Sequence, residues 1–244
     1  MQRLRSIAFA IFFGLSILVA SIVAAPVALF SAKAARAVAK SWSRAILHAV
    51  KIIAGVSYKI EGEENIPQGG AIVAANHQSQ WETIALYAHL PNPVVIAKKE
   101  LFDIPIYGWW LRRVGNIAVD RAGGAKALRA LRAEAAAHIA NGDQIVVFPE
   151  STRAPVGEKL PFHPGVAGIY SSVDGPCVPA AHDSGLYWRY PGIDKVPGEI
   201  TLKFLPPIAA DLDRKTFLRE LQSQIEKARP DLPPQAHAPE RADG

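Results

Sequence analysis

The sequence predicts an α/β domain with a mixed, mostly parallel sheet flanked by helices, preceded by an N-terminal membrane-embedded helix and an amphipathic helix. Three observations point there. Beyond residue 57, short apolar runs alternate with helical patterns. Residues 7–32 carry no charge at all. Polar and ionisable residues collect at the ends of the apolar runs, the edge where α/β sheets place ligand sites. On this reading the chain divides into an anchor over 1–56, the α/β domain over 57–230 and a disordered tail over 231–244.

The length of 244 residues suits one such domain with an appendage. Lys and Arg number 27 against 22 Asp and Glu, a formal charge of +5. That modest basic excess suits an anionic partner without choosing among a lipid surface, a phosphate substrate and nucleic acid. A basic-aromatic nucleic-acid module is missing, so no nucleic-acid partner is expected. The single cysteine, Cys177, excludes an internal disulfide and a multi-cysteine zinc site.

Taken in order, the uncharged run comes first. About 24 residues at about 1.5 Å each give roughly 36 Å of helix, enough for a bilayer core of about 30 Å. A cleaved signal peptide is the alternative, but the run exceeds the roughly 7–15 residues of an h-region. Pro26 is expected to kink or end the helix. Arg3 and Arg5 precede the run, whereas Lys33, Arg36, Lys40 and Arg44 follow it, which favours a cytoplasmic main domain. Residues 41–56 then repeat Ala45, Ile46, Ala49, Ile52 and Ile53 at helical spacing, with Arg44, His48 and Lys51 between them. Two readings fit: a helix on an anionic surface, or one docking on the core.

Strands are expected over 71–76, 93–99, 116–121, 144–150, 177–183 and 200–207. Several are unbroken apolar runs, as in sheets covered on both faces. The clearest helix covers 125–142, with Leu128, Leu131, Ala135 and Ile139 as its apolar stripe and Gly142 as its stop. Another covers 214–230, capped by Asp213 and ended by Pro230.

The stretch "NHQSQWE", residues 76–82, carries the chemistry. His77 and Glu82 lie five apart, the wrong spacing for neighbours on one helix face. The pair makes sense if His77 sits in the loop after a strand and Glu82 in the first helical turn, reaching back to the ring. Lys98 and Lys99, Arg121, and the run Glu150, Ser151, Thr152, Arg153 end the following strands. A lone histidine is most often a structural hydrogen-bonder and a basic strand end is most often just solvated. The combination of a His–carboxylate pair with three basic strand ends is what points to a base beside an anion site. His89, His163 and His182 form no metal-ligand spacing with His77, so no metal is expected.

"NHQSQWE" resembles the N-H-x-S-x-x-D block of the glycerophospholipid acyltransferases, in particular the bacterial 1-acyl-sn-glycerol-3-phosphate acyltransferases. Residues 98–121 resemble the second block, "FPESTR" (148–153) the third, F-P-E-G-T-R, and "CVPAAHDSG" (177–185) the fourth. The four blocks stand in family order over roughly residues 60–210, and the N-terminal helices match the family arrangement. The resemblance implies transfer of a fatty acyl group from acyl-CoA or acyl carrier protein to the sn-2 hydroxyl of lysophosphatidic acid, at a bacterial-type inner membrane, making phosphatidic acid without a cofactor. It implies His77 as general base and Glu82 as its orienting partner. Lys99, Arg121, Glu150, Ser151, Thr152 and Arg153 would bind substrate, with Glu150 orienting Arg153 or meeting an acceptor hydroxyl. Lys98 is the weaker choice of the two lysines, and Ser79 is read as a loop-stabilising hydrogen-bonder. Membrane lipids are the implied partners.

Two positions depart from the family pattern. Glu82 stands where Asp is usual, and Ser151 where Gly is usual. If that Gly serves a positive φ, Ser strains the loop; otherwise a Ser-Thr pair adds a hydroxyl to a phosphate site. The same chemistry on another lysophospholipid or a lyso-ornithine acceptor is the alternative. A hydrolase reading lacks its G-x-S-x-G elbow, and a non-catalytic lipid-binding protein would leave His77 without a task.

Overall fold

The structure, a computed structural model, describes residues 1–120 and 122–232. Two long helices come first, α1 (Gln2–Phe30) and α2 (Ala32–Ala54), separated only by Ser31. Ser31 is extended, and its side chain accepts the Ala34 N–H to cap α2. Gly55, at φ 74, ends α2 in the left-handed conformation that favours glycine. Pro26 lies inside α1, which continues through it to Phe30.

The domain follows as β1 (Val56–Glu61), β2 (Ala71–Ala75), α3 (Trp81–His89), β3 (Pro93–Lys98), α4 (Tyr107–Arg113), β4 (Ile117–Val119), α5 (Gly124–Ala140), β5 (Gln144–Val147), α6 (Gly165–Tyr170), β6 (Cys177–His182), α7 (Ser184–Tyr187), β7 (Gly198–Phe204) and α8 (Arg214–Ala228). The seven strands form one sheet in the order β1-β7-β6-β2-β5-β3-β4. Every pairing is parallel except β6 with β7. This is the mixed, mostly parallel sheet that the alternating pattern predicts.

Both faces are covered, which is why the central strands read as apolar runs. Val73, Val146 and Val178 pack with Trp81 and Leu86 of α3 and Ile46, Leu47 and Val50 of α2. The alternate residues Ile72, Ile145 and Cys177 pack on the other face with Leu131 and Ile139 of α5 and Phe217 and Leu221 of α8. Burying such a side chain contributes about 1.5–3 kcal/mol, so β2 and β5 hold the centre firmly.

Several details differ from the sequence reading. The strand β1 was not foreseen, and β4 covers only 117–119 of the expected 116–121. The helix expected over 41–56 begins at Ala32. Its buried face is Ser43, Ile46, Leu47, Val50 and Ala54, and Ile52 faces out. The docked reading is the one seen: Arg36 bonds Val114 O at 2.9 Å and Asp143 at 2.9 Å, and Lys40 Nζ donates to Leu90 O at 2.6 Å. Arg44 donates to Ala88 O at 3.3 Å. Lys40 and Arg44 thus satisfy carbonyls at the C-terminal end of α3. In α5, Leu131, Ala135 and Ile139 are buried but Leu128 is partly exposed. Asp213 caps α8 as expected, accepting Lys215 N at 2.9 Å and Thr216 N at 3.1 Å. Asp231, assigned to the tail by composition, is fixed by side-chain bonds, and residues 233–244 lie outside the described residues.

Helix α1 lies along the domain rather than away from it. Near its start, Gln2 Nε2 donates to Lys195 O at 2.6 Å and Arg5 Nε to Ile53 O at 2.7 Å. Near its end, the Arg113 guanidinium donates to Ala28 O and, at 3.1 Å, to Leu29 O. The opposite face exposes Ile11, Leu15, Leu18, Ile22, Val23 and Phe30.

Candidate active site

Strands β2, β3, β5 and β6 run parallel, so their C-terminal ends share one edge of the sheet. His77 follows β2, the segment 148–153 follows β5, and Asp183 and Ser184 follow β6. Asn76 ties the first to the last: its Nδ2 donates to His182 O at 3.0 Å, and His182 N donates to Asn76 Oδ1 at 2.9 Å. The His182 ring bonds Asn76 O at 2.7 Å, which makes it a structural histidine.

His77 Nδ1 lies 2.7 Å from Glu82 Oε1. The ring stacks on Phe148, with centroids 4.2 Å apart and planes 20° from parallel. With Nδ1–H donating to the carboxylate, the neutral ring carries its lone pair on Nε2. Glu82 has 0 % exposure and sits in the first turn of α3. Its carboxylate also accepts Gln78 N and Ser79 N, both at 2.9 Å, and the hydroxyls of Ser79 and Ser184, both at 2.8 Å. Burial opposes its charge, but His182, His77 and the Ser79 N–H outweigh burial and hold the carboxyl well below the usual range. The local sequence explains the reach. Three loop residues, Gln78 to Gln80, and Trp81, the first residue of α3, separate His77 from Glu82, so a carboxylate in the first helical turn reaches back to the loop N–H groups of Gln78 and Ser79.

Glu150 is also buried. Its Oε2 accepts His77 N at 2.6 Å, and its Oε1 lies 3.7 Å from the Arg229 guanidinium. Burial pushes its carboxyl up to about 7, against the His77 N–H and Arg229, which both favour the charge. Glu150 therefore does not orient Arg153. Instead, Arg153 Nε donates to Ser79 O at 3.1 Å and its guanidinium stacks 4.2 Å over the Tyr190 ring.

His77, Glu150, Ser151, Thr152 and Arg153 line one cavity of about 1220 Å³. Its walls include Phe13, Ile17 and Trp42 from α1 and α2, and Leu131 and Ile169 from the domain. At that volume it exceeds the roughly 300–1,000 Å³ of ordinary small-molecule pockets. The lysine on this wall is Lys98, not Lys99. Lys99 pairs with Asp120 at 3.3 Å and lines a separate shallow pocket of about 450 Å³. Arg121 lies outside the described residues.

Ser151 resolves the question that its sequence raised. Its φ is 58°, in the left-handed region, so a glycine there would be relaxed and the serine is strained. Replacing Ser151→Gly is expected to raise stability by roughly 1 kcal/mol, read as a higher midpoint in urea; an unchanged or lower midpoint would show that the serine hydroxyl compensates the strain.

Ser79 is fully buried and spends its hydroxyl on Glu82, Ser184 and Trp81 N. Sequence reasoning overlooked Ser184, Phe148 and Tyr190 as parts of this site. The first two stand inside blocks that the resemblance quoted, so the blocks were the available signal; nothing in the sequence marks Tyr190.

Residues 57–183 match the family described as Acyltransferase. The chain belongs to that family. It is 31% identical over 228 residues to the 1-acyl-sn-glycerol-3-phosphate acyltransferase of Pseudomonas aeruginosa, covering 92% of this chain and 88% of that one. It is 30% identical over 161 residues to the enzyme of the same name from Cocos nucifera, a match spanning 65% of this chain but about half, 52%, of that protein. The solved structure of the 1-acyl-sn-glycerophosphate (LPA) acyltransferase from Thermotoga maritima shares the fold, with a TM-score of 0.78 over 93% of this chain and 95% of that one at 23% identity.

Proposed function

We propose that this acyltransferase moves a fatty acyl group from a thioester to the sn-2 hydroxyl of 1-acyl-sn-glycerol 3-phosphate, giving phosphatidic acid. The observation that carries this reading is the His77–Glu82 pair opening into a cavity walled by α1, α2 and the domain. His77 Nε2 takes the hydroxyl proton as the oxygen attacks the thioester carbonyl. The C–O bond forms, the C–S bond breaks, and the proton passes to the departing thiolate. The nucleophile is the substrate's own hydroxyl, so no acyl-enzyme forms. Glu82 fixes the tautomer and stabilises the imidazolium. Arg153 holds the phosphate with charge-assisted bonds, aided by the Ser151-Thr152 backbone and hydroxyls and by Arg121. Lys98 replaces Lys99 as the lysine facing the substrate. A thioester is already activated, so positioning supplies much of the rate and the reaction needs neither cofactor nor metal. The donor is acyl-CoA or acyl carrier protein, and both present the same thioester.

Both ends of α1 are bonded to one domain. A helix of 29 residues, about 43 Å at about 1.5 Å per residue, cannot keep those bonds and also put one end across the bilayer. We infer that α1 lies in a single leaflet with its apolar face in the lipid. The domain then faces the cytoplasmic side of a bacterial-type inner membrane, where acyl thioesters are made, and lipid substrates enter the cavity between α1, α2 and the sheet.

The test is the purified full chain in liposomes with lysophosphatidic acid and labelled acyl-CoA or acyl carrier protein. Labelled phosphatidic acid is expected. No product with either donor, but turnover of a phosphate-free acceptor, would overturn the acceptor assignment. In the same liposomes, single cysteines placed at Gln2 and at Phe30 are expected to react with an impermeant maleimide from the same side. Reaction from opposite sides would show a spanning helix instead.

A further inference from the structure

Two residues just beyond α8, Arg229 and Asp231, close a circuit around the candidate base. Arg229 and Asp231 form a doubly hydrogen-bonded pair, Nε to Oδ1 at 3.0 Å and Nη2 to Oδ2 at 2.7 Å. Both side chains are essentially inaccessible, at 1% and 0%. Asp231 Oδ2 accepts Gln78 Nε2 at 2.7 Å and Gly157 N at 3.0 Å. Arg229 Nη1 donates to Glu158 O at 2.9 Å and lies 3.7 Å from Glu150 Oε1. Glu150 Oε2 in turn accepts the N–H of His77, the neighbour of Gln78. The path Asp231, Gln78, His77, Glu150, Arg229 and back to Asp231 is closed. Gln78 Oε1 further accepts Gly185 N at 3.1 Å, bringing in the segment after β6.

A buried ion pair of this kind is poor evidence for stability, because desolvation offsets its attraction and a well-packed apolar pair often does as well. What the pair does provide is fixed geometry. A planar guanidinium bonded at both Asp231 oxygens holds the carboxylate in one orientation, and that carboxylate fixes both the catalytic loop and the 150–158 segment. Both residues lie outside residues 57–183, the part of the chain that matches the family.

We propose that Arg229 and Asp231 are positioning residues for acyl transfer: they set the His77 loop against Glu150 and so aim the histidine into the cavity. The inference rests on His77 being the base. Neither residue touches the cavity itself, so both act through Gln78 and Glu150. The groups that bias the Glu150 carboxyl come from three elements: the His77 backbone N–H from the loop after β2, the Glu82 carboxylate from α3, and Arg229 and Asp231 from the segment after α8. Arg229 favours the Glu150 carboxylate and Asp231 opposes it.

The test uses the full chain in liposomes, comparing wild type, Arg229→Gln, Arg229→Lys and Asp231→Asn. Initial rates are taken against lysophosphatidic acid concentration across the acid side of the pH profile. Amide exchange is measured by mass spectrometry on the same samples. Both Arg229→Gln and Asp231→Asn are expected to lower kcat by roughly tenfold to a hundredfold, the scale of a small misplacement of a reacting group, with KM nearly unchanged. Protonating Glu150 weakens its hold on the His77 N–H and on Arg229, so the acid limb is expected to move to higher pH in Arg229→Gln, which loses a cation beside Glu150. In Asp231→Asn, which loses an anion, the limb should move to lower pH. Arg229→Lys, which keeps the charge without the fork, should restore the limb but not the rate. Exchange should rise at residues 76–80 in both neutralised variants and stay at wild-type levels in α8. Wild-type rates and limbs in the variants would overturn the inference. So would equal losses at every pH accompanied by faster exchange throughout the domain, since those mark a fold clasp alone. If His77→Ala turned over as fast as wild type, the base assignment would fail; exchange at 76–80 would still report whether Arg229 and Asp231 order the loop.

Discussion

Replacing His77→Ala is expected to give a folded protein whose kcat for acyl transfer falls by roughly two or more orders of magnitude, the scale of lost general-base catalysis. The loop should survive the change because its backbone is held independently of the ring. His77 N donates to Glu150 at 2.6 Å, and Ala154 N donates to His77 O at 2.7 Å. What alanine removes is the imidazole stacked on Phe148 and its bond to Glu82. Glu82 keeps Gln78 N, Ser79 N and two hydroxyls as donors, so its charge stays satisfied. The melting temperature should therefore move little while the rate collapses. Steady-state rates with lysophosphatidic acid and a thermal melt on the same preparation check both halves. A wild-type rate in His77→Ala would remove the base, and with it the mechanism; a collapsed melt would mean that the ring is structural.

The parts of this protein legible in its sequence are those set by local rules. Central strands covered on both faces must be apolar throughout, so β2, β5 and β6 read directly as runs. Among the described residues the edge strand β1 pairs only with β7, and it mixes buried with half-exposed positions, so its pattern lacks that signal. The His77–Glu82 pair was legible because five residues of loop and helix start fix its geometry. Lys98 against Lys99 shows the limit of the same reasoning. Lys98 is the last residue of β3 and Lys99 begins a five-residue 3-10 helix, so a one-residue difference sends the side chains to different pockets. Ser184 reaches Glu82 across 102 positions and Asp231 reaches Gln78 across 153. No spacing rule operates over such distances, and a Pro-rich, charged composition hides an ordered Asp231 at the start of the tail.

Glu82 should show the largest combined loss of stability and rate. Substitution Glu82→Ala strands one imidazole N–H, two backbone N–H groups and one of the two serine hydroxyls, the other donating to its serine neighbour, around a fully buried position. Removing one partner from such a buried charged network costs about 3–5 kcal/mol, a large share of the 5–15 kcal/mol that holds a typical domain. Glu82→Gln is the sharper test because it keeps the shape. Its amide nitrogen cannot accept: at the Oε2 position it removes the acceptor of both serine hydroxyls, and at the Oε1 position it meets the Gln78 and Ser79 N–H groups and no longer enforces the Nδ1–H tautomer of His77. In serine hydrolases the equivalent amide substitution costs about 10⁴ in kcat. Here a loss of roughly two to four orders of magnitude is expected. The pH dependence separates charge from shape. Glu82 is held well below its ordinary value, so the stability that its ionisation contributes is fully present above the unfolded carboxylate range and is lost as pH falls through the folded value. The melting temperatures of wild type and Glu82→Gln should thus differ most at neutral pH and converge on acidification. A constant gap would mean that the carboxylate contributes hydrogen-bond geometry rather than charge. A full rate in Glu82→Gln would mean that Phe148 alone orients the histidine.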